Sequence, residues 1–375
     1  MLNRSFVITT ALLATCVAAS AQQPTTLKQA YGGIFHVGAA INERQISGTD
    51  VLGDSILAAQ FDSISPENVL KWERVHPRSD TYNFDLADKY VALGEKNHMF
   101  IVGHNLVWHA QVPGWVFQDD QGKPLTRDAL LQRMHDHIFT VVGRYKGRIQ
   151  SWDVVNEALN EDGTLRKSKW QQIIGDDFID KAFEYAHEAD PQAELTYNDY
   201  SIENDAKLKG ALALVSRLKA KGIPITTVGI QGHDSMDWPT FEQEDAAITA
   251  FAKLGVKVSI SELDIDVLPR NPQLFSADVS MKVKQDPALN PYAAGLPDDV
   301  QQALAKRYAG LFAIYLKHRA DMSRVTFWGV TDRDSWLNNW PVPGRRSYPL
   351  LFDRDGKPKP AFDAVIGQAK LAPKQ

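Results

Sequence analysis

The sequence has almost no cysteine. Its single one, Cys16, falls in an apolar N-terminal segment. The rest of the chain can therefore form no disulfide and offers no thiolate to a metal. Past that segment there is no hydrophobic run long enough for a membrane span, and no lysine/arginine cluster of the kind that grips nucleic acid. Internal repeats, low-complexity tracts and Gly/Ser linkers are missing after residue 27. The Gly-rich phosphate loop of a doubly wound dinucleotide-binding sheet is missing too, because the first strand-like run contains only Gly38-Ala39-Ala40. Neither a cofactor nor a bound metal is expected.

The N-terminus reads as an export signal. Arg4 supplies the positive start, Phe6 to Ala19 is apolar, and Ala19-Ser20-Ala21 fits an A-x-A cleavage site. Residues 1–21 are read as a signal peptide and 22–375 as one catalytic domain. A lipid-attachment box at Leu13-Ala14-Thr15-Cys16 is the weaker alternative, since a smaller residue is usual where Thr15 stands. Either way the protein is expected to be exported, periplasmic or secreted, and it is taken to be a monomer.

A chain of 375 residues with 44% hydrophobic and 23% charged residues can bury a large core and has no tendency to disorder. A net charge of −5 gives no electrostatic pull toward polyanions, whereas 9 tryptophans suit a protein that stacks indoles on sugar faces. Strand-like runs alternate with helical stretches. The strands are predicted at Phe35–Ile41, Gln60–Ile64, Met99–Val107, Ile149–Asn156, Glu194–Tyr197, Thr226–Gln231, Lys257–Leu263 and Arg324–Val330. Between them, Leu86–Lys96, Arg127–Tyr145, Trp170–Ala189, Asp205–Ala220, Phe241–Leu254 and Val300–His318 carry apolar residues three or four apart. In Arg127–Tyr145, for instance, Leu130, Leu131, Met134, Ile138, Val141 and Val142 form one stripe. Eight such alternations predict an α/β fold, a (β/α)8 TIM barrel. The long irregular stretch from Asp266 to Leu296, with Pro269, Pro272, Pro287 and Pro291, follows the seventh predicted strand and would overhang the mouth of such a barrel.

Active sites of these barrels lie at the C-terminal ends of the strands, and here those ends are polar. They read Ser65-Pro66-Glu67-Asn68 with Lys71-Trp72, Gly103-His104-Asn105-Leu106-Val107-Trp108-His109, Trp152-Asp153-Val154-Val155-Asn156-Glu157, Tyr197-Asn198-Asp199-Tyr200, Gly229-Ile230-Gln231-Gly232-His233, Ser259-Ile260-Ser261-Glu262-Leu263-Asp264 and Phe327-Trp328-Gly329-Val330-Thr331-Asp332. Taken singly, each is a helix cap, a surface carboxylate or a hydrogen-bonded core histidine. Seven together imply a polar cleft, because burying such groups without partners is costly. Two carboxylates facing one another there can hydrolyse a glycoside, one as proton donor and one as nucleophile, and a retaining enzyme holds them roughly 5–5.5 Å apart. Glu157 and Glu262 end the fourth and seventh predicted strands and fit these two parts.

At these motifs the chain resembles glycoside hydrolase family 10, the (β/α)8 retaining xylanases, over roughly residues 28–368. The motifs are Phe61 through Trp72, Gly103 through His109, Trp152 through Glu157, Gly229 through His233, Ser261 through Asp264 and Trp328 through Trp336. The resemblance implies endo-hydrolysis of β-1,4-xylosidic bonds in xylan and xylo-oligosaccharides, with Glu157 as acid/base and Glu262 as nucleophile. It further implies that His233, oriented by Asp264, holds Glu262, and that Asn156 donates to the sugar 2-OH. Glu67, Asn68, Lys71, His104 and Gln231 would hydrogen-bond the glycone. Trp108, Trp328 and Trp336 would wall it, with Trp336 near the place where a C6 hydroxymethyl would project, and Tyr200 would stack on the first leaving-group sugar. Trp72, Trp115, Trp152 and Trp170 are read as packing. Departures from the family pattern are Asp62 for Asn, Asn105 and Ser261 for Thr, and Ser201 for Asn.

Other readings fit the sequence less well. A β-1,4-glucanase or mannanase barrel also places Asn-Glu and Glu at these strand ends, but Lys71, His104 and Trp336 argue against it. A non-catalytic glycan-binding protein would be expected to lack one of the two glutamates. A metal site on His104 and His109 lacks a third ligand at motif spacing, and Asn160-Glu161-Asp162-Gly163 reads as a turn more than as a calcium loop.

Overall fold

The computed structural model describes residues 26–269 and 282–371. The predicted signal peptide with Cys16, and Pro272 of the long loop, lie outside the described residues.

Eight parallel strands close into a barrel: β1 (His36–Ile41), β2 (Ser63–Pro66), β3 (Phe100–Val107), β4 (Ser151–Asn156), β5 (Glu194–Asp199), β6 (Thr227–Ile230), β8 (Lys257–Asp266) and β9 (Met322–Phe327). Each pairs with the next in chain order, β6 pairs with β8, and β9 closes the ring onto β1. A short extra strand, β7 (His233–Ser235), pairs with the far end of β8. This is the fold the alternation predicts. The strands are buried along nearly their whole length, as a sheet with helices outside and side chains inside requires.

Several boundaries differ from expectation. Gln60 ends a helix, Val51–Gln60, which is capped by the Asp50 carboxylate, and β2 instead runs on to Pro66. The predicted helix Trp170–Ala189 is two helices, Lys169–Ile174 and Phe178–Ala189, broken where Gly175 takes φ +102°. β8 continues to Asp266, so the irregular connection starts later. The described part of that connection, 282–296, is tied to the segment after β9: Gln285 and Asn290 donate to the Pro343 and Gly344 carbonyls, and the Tyr348 hydroxyl donates to Tyr292.

The helices form where the sequence caps them. Thr126 and Thr240 accept from the third residue of Arg127–Arg144 and Phe241–Lys253, and Gln243 completes a capping box with Thr240. Inside the barrel the core is partly polar. Arg324 is buried and reaches Ser151 Oγ at 3.2 Å and Asp153 Oδ1 at 3.4 Å. Gly103 lies against the Trp152 ring, and a Cβ there would sit 2.1 Å from it. Trp72, Trp152 and Trp170 are buried packing residues and Trp115 is half-buried, its indole donating to the Pro77 carbonyl. Among the described residues no helix is long and apolar enough to cross a membrane.

Candidate active site

The register of β7 and β8 builds one half of the site. His233 pairs with Asp264 across the ladder, so their side chains meet: His233 Nδ1 is 3.1 Å from Asp264 Oδ1, and His233 Nε2 is 3.2 Å from Glu262 Oε2. The other Asp264 oxygen accepts from the Trp336 indole at 2.6 Å. Burial works against a charge on His233, but the carboxylates of Asp264 and Glu262 outweigh it and raise the imidazole to about 10. Burial likewise pushes the Glu262 carboxyl up, yet the hydrogen bond from His233, the nearby His104 and His233 charges and the Asn198 amide bring it below the ordinary glutamate value. A buried carboxylate held ionised at the end of a barrel strand can act as a nucleophile.

Glu157 stands opposite, one residue past β4. Trp108 Nε1 donates to its Oε2 at 2.8 Å, and Gln231 and Asn156 amides donate to its Oε1 at 3.0 and 3.3 Å. His109 lies 3.9 Å from Oε2; burial, then the charges of Arg166 and Lys207, lower it to about 4, which leaves it neutral. Glu157 takes a left-handed φ of 57°, rare for a residue with a side chain. Its backbone is held on both sides. The N–H donates to the Asn198 carbonyl at 2.8 Å, and the carbonyl accepts from Arg166 Nε at 3.1 Å.

Asn198 joins the halves. Its amide donates at 2.8 Å both to Asn156 Oδ1 and to Glu262 Oε1, and its carbonyl accepts from Ser261 Oγ at 2.5 Å. Ser261, where the resembled pattern has Thr, makes this contact through its own hydroxyl. Gly229 leaves the room: a Cβ there would meet Asn198 Oδ1 at 2.3 Å. Glu157 and Glu262 are consequently linked through two amides in one cleft.

After β2, Lys71 is buried with its Nζ 3.0 Å from Asn68 Oδ1 and 5.0 Å above the Trp108 ring. Burial lowers its pKa, opposed by Glu262, Glu67 and Glu157, while burial raises Glu67 against the pull of Lys71 and Asn68. His104 Nδ1 is 2.9 Å from Asp153 Oδ2, and Asp153 is in turn held by Arg324. Asn105, another departure from the pattern, lies buried with Nδ2 3.4 Å from His104 Nε2. Trp328 meets the His104 and His233 rings edge-on at 5.5 and 6.3 Å. Trp336 sits 5.1 Å from His233 with Trp340 behind it at 4.6 Å. Tyr200 lies on the β5 side of Glu157, its ring 3.4 Å from Lys207 Nζ and its hydroxyl accepting from Arg166 at 2.9 Å. Asp62 is remote, binding His36 and the Val37 amide at the N-terminal end of the strands.

Every predicted site residue therefore gathers at one end of the barrel. Sequence reading missed Asn198, Arg166, Asp153, Arg324 and Lys207. The first and third stood in the quoted strand ends and could have been selected as inward-pointing polar residues. Arg166 and Lys207 come from loop and helix positions with no motif to single them out. The Asn160–Gly163 segment is the turn of a small hairpin bridged at Leu159 and Leu165, with Asp162 Oδ1 accepting from Thr164 N at 3.0 Å.

Comparison with known proteins agrees with this geometry. The sequence pattern of glycosyl hydrolase family 10 matches residues 26–368. Endo-1,4-β-xylanase A of Xylanibacter ruminicola is 45% identical over 351 residues, covering 93% of this chain and 95% of that protein. A family 10 endoxylanase retrieved from a sugarcane soil metagenome superposes with a TM-score of 0.87 at 45% identity, covering 92% of this chain and 100% of that one. An intracellular xylanase of Thermoanaerobacterium saccharolyticum, solved as a mutant complex with xylotetraose, gives a TM-score of 0.79 at 36% identity, covering 90% and 97%. With this pattern matched across nearly the whole length and both glutamates set in one cleft, the chain belongs to glycosyl hydrolase family 10.

Proposed function

We propose that the protein is an endo-β-1,4-xylanase that works by double displacement with retention of configuration. The observation that carries this reading is the asymmetry of the two glutamates. Glu262 is held ionised by the line Trp336–Asp264–His233, while Glu157 lies across the Asn156–Asn198 amides. Glu262 attacks the anomeric carbon of the sugar at the cleavage point as Glu157 gives a proton to the glycosidic oxygen. The leaving chain departs as an alcohol and a xylosyl ester forms on Glu262. Glu157 then takes a proton from water, the water oxygen attacks the same carbon from the vacated face, and the Glu262 carboxylate is released.

The remaining side chains bind. Asn156 donates to the 2-OH, a contact that tightens as charge develops on the ring. Glu67, Asn68, Lys71, His104 and Gln231 hold glycone hydroxyls between Trp108 and Trp328. Trp336, backed by Trp340 and pinned through its indole to Asp264, crowds the space a C6 hydroxymethyl would need, which favours xylose over glucose. Tyr200 stacks on the first leaving-group sugar. Binding of xylotetraose by a relative of the same fold supports a cleft that spans several sugars. Residues 22–375 would act as one catalytic domain after removal of 1–21, exported and monomeric; N-terminal sequencing of protein recovered outside the cytoplasm, and its sedimentation, test those two points.

The function is tested by reducing-sugar release from arabinoxylan and carboxymethylcellulose, side by side, for wild type and Glu262→Ala. Xylan cleavage that disappears in the variant is expected. A folded wild type that leaves xylan intact overturns the reading, and cleavage of cellulose alone moves it to a β-glucanase.

A further inference from the structure

We infer that Arg166 is a positioning residue that couples the acid/base to the leaving-group sugar, and that the hairpin carrying it is a fixed mount rather than a surface loop. The inference rests on Glu157 being the acid/base.

Glu157 is one residue beyond the last strand position of β4, and its left-handed backbone aims the carboxyl into the cleft. Such a conformation is strained and persists only where neighbours hold it. The carbonyl side is held by Arg166 alone among the described contacts: Nε donates to the Glu157 carbonyl at 3.1 Å. The same guanidinium donates from Nη2 to the Leu159 carbonyl at 3.2 Å and to the Tyr200 hydroxyl at 2.9 Å. One planar group thus ties the backbone of the proton donor to the ring that would lie under the departing sugar. Arginine suits this work because its donors sit in a rigid fork, which a lysine cannot reproduce.

The hairpin that presents Arg166 is itself docked. Gly163 and Gly210 meet backbone to backbone. A Cβ on Gly210 would lie 2.2 Å from the Gly163 carbonyl oxygen, and one on Gly163 2.4 Å from that of Ala206. Gly163 also has φ +79°, which favours glycine at the turn. Close by, Lys207 is fully buried, 3.0 Å from Asp199 and 3.5 Å from Glu161 of the hairpin, with the Tyr200 ring 3.4 Å away. The hairpin, Tyr200 and the helix Asp205–Ala220 therefore form one unit, and Arg166 is its link to Glu157.

A misplaced proton donor has a kinetic signature that general damage lacks. Arg166→Met should cut kcat/KM on xylotetraose by roughly 10²-fold, the loss expected when a catalytic group is displaced by about an ångström. On 2,4-dinitrophenyl β-xylobioside, whose leaving group needs no proton, kcat/KM should stay within about threefold. On that substrate kcat should fall, since water attack still needs the base. In Glu157→Ala, where no carboxylate remains to repel it, azide should restore turnover and give the β-xylobiosyl azide. Arg166→Lys should recover little. Gly210→Ala, which leaves Arg166 intact and displaces its mount, should show the same pattern in milder form, and near-ultraviolet circular dichroism reports whether each variant is folded. Glu157→Ala is run alongside. If it shows the split and the azide rescue while Arg166→Met loses both substrates equally, the positioning inference is overturned and the acid/base stands. If Glu157→Ala itself loses both substrates equally, the catalytic reading falls.

Discussion

The aromatic stack that begins at Trp72 should make the protein sensitive to acid. Trp72, which follows Lys71, lies face to face with the fully buried His137 at 3.6 Å. His137 Nδ1 is 3.2 Å from His76 Nδ1, and His76 stacks on Tyr82 at 3.7 Å. Two facing ring nitrogens share one proton, so the pair is satisfied only while at least one ring is neutral. Burial, aided by the Arg133 charge, lowers His76 to about 4, and burial together with the charge His76 would carry holds His137 well below the ordinary histidine value. In the unfolded chain both would titrate near 6.5. Below that pH the unfolded state binds protons that the folded state refuses, so stability is full above about 6.5 and falls as pH drops toward 4. For His76 alone the loss is about 2 kcal/mol at pH 5 and about 3 kcal/mol at pH 4, from 1.36 kcal/mol per pKa unit. The check is urea unfolding at pH 7, 5 and 4 for wild type and for a variant with His76→Phe and His137→Phe, which keeps two stacked rings without titratable nitrogens. The stability difference between the two proteins should shift toward the variant by at least about 2 kcal/mol from pH 7 to pH 5. Parallel pH curves would refute the reasoning, as would an imidazole titration that places either ring near 6.5.

Three further outcomes are expected. Glu262→Ala should stay folded and lose turnover, and azide should restore it by attack from the vacated face, giving the inverted α-xylosyl azide by NMR; a β product would contradict the assignment of the nucleophile. Asp264→Asn removes the charge that does most to hold His233 at about 10, so the imidazole should lose its proton at lower pH. The alkaline limb of kcat/KM should move down by at least about one unit, and an unmoved limb would mean that His233 does not govern it. Gly103→Ala would drive a methyl into the Trp152 ring, with a stability loss of about 1–3 kcal/mol; an unchanged melting temperature would show that the barrel interior can yield there.

What the sequence determined by itself was the repeating order of elements and the chemistry at their ends. Apolar runs of strand length alternated with amphipathic stretches, and the strand ends carried Glu157, Glu262, His104, Gln231, His233 and the flanking tryptophans. These features are local, because periodicity and strand termination depend on neighbouring residues only. Element boundaries were less legible. Gln60 joined a helix because Asp50 caps it ten residues earlier, and one predicted helix became two because Gly175 can adopt a backbone angle that other residues resist. Tertiary structure alone decided how the site is wired. Asn198 bridges Asn156 and Glu262 only because β4, β5 and β8 bring their ends together and Gly229 leaves space. Arg166 reaches Glu157 and Tyr200 only because two glycines far apart in the chain let a hairpin settle on a helix. A residue whose role is a contact across the fold carries no periodic trace in the sequence, and its function appears when the chain closes.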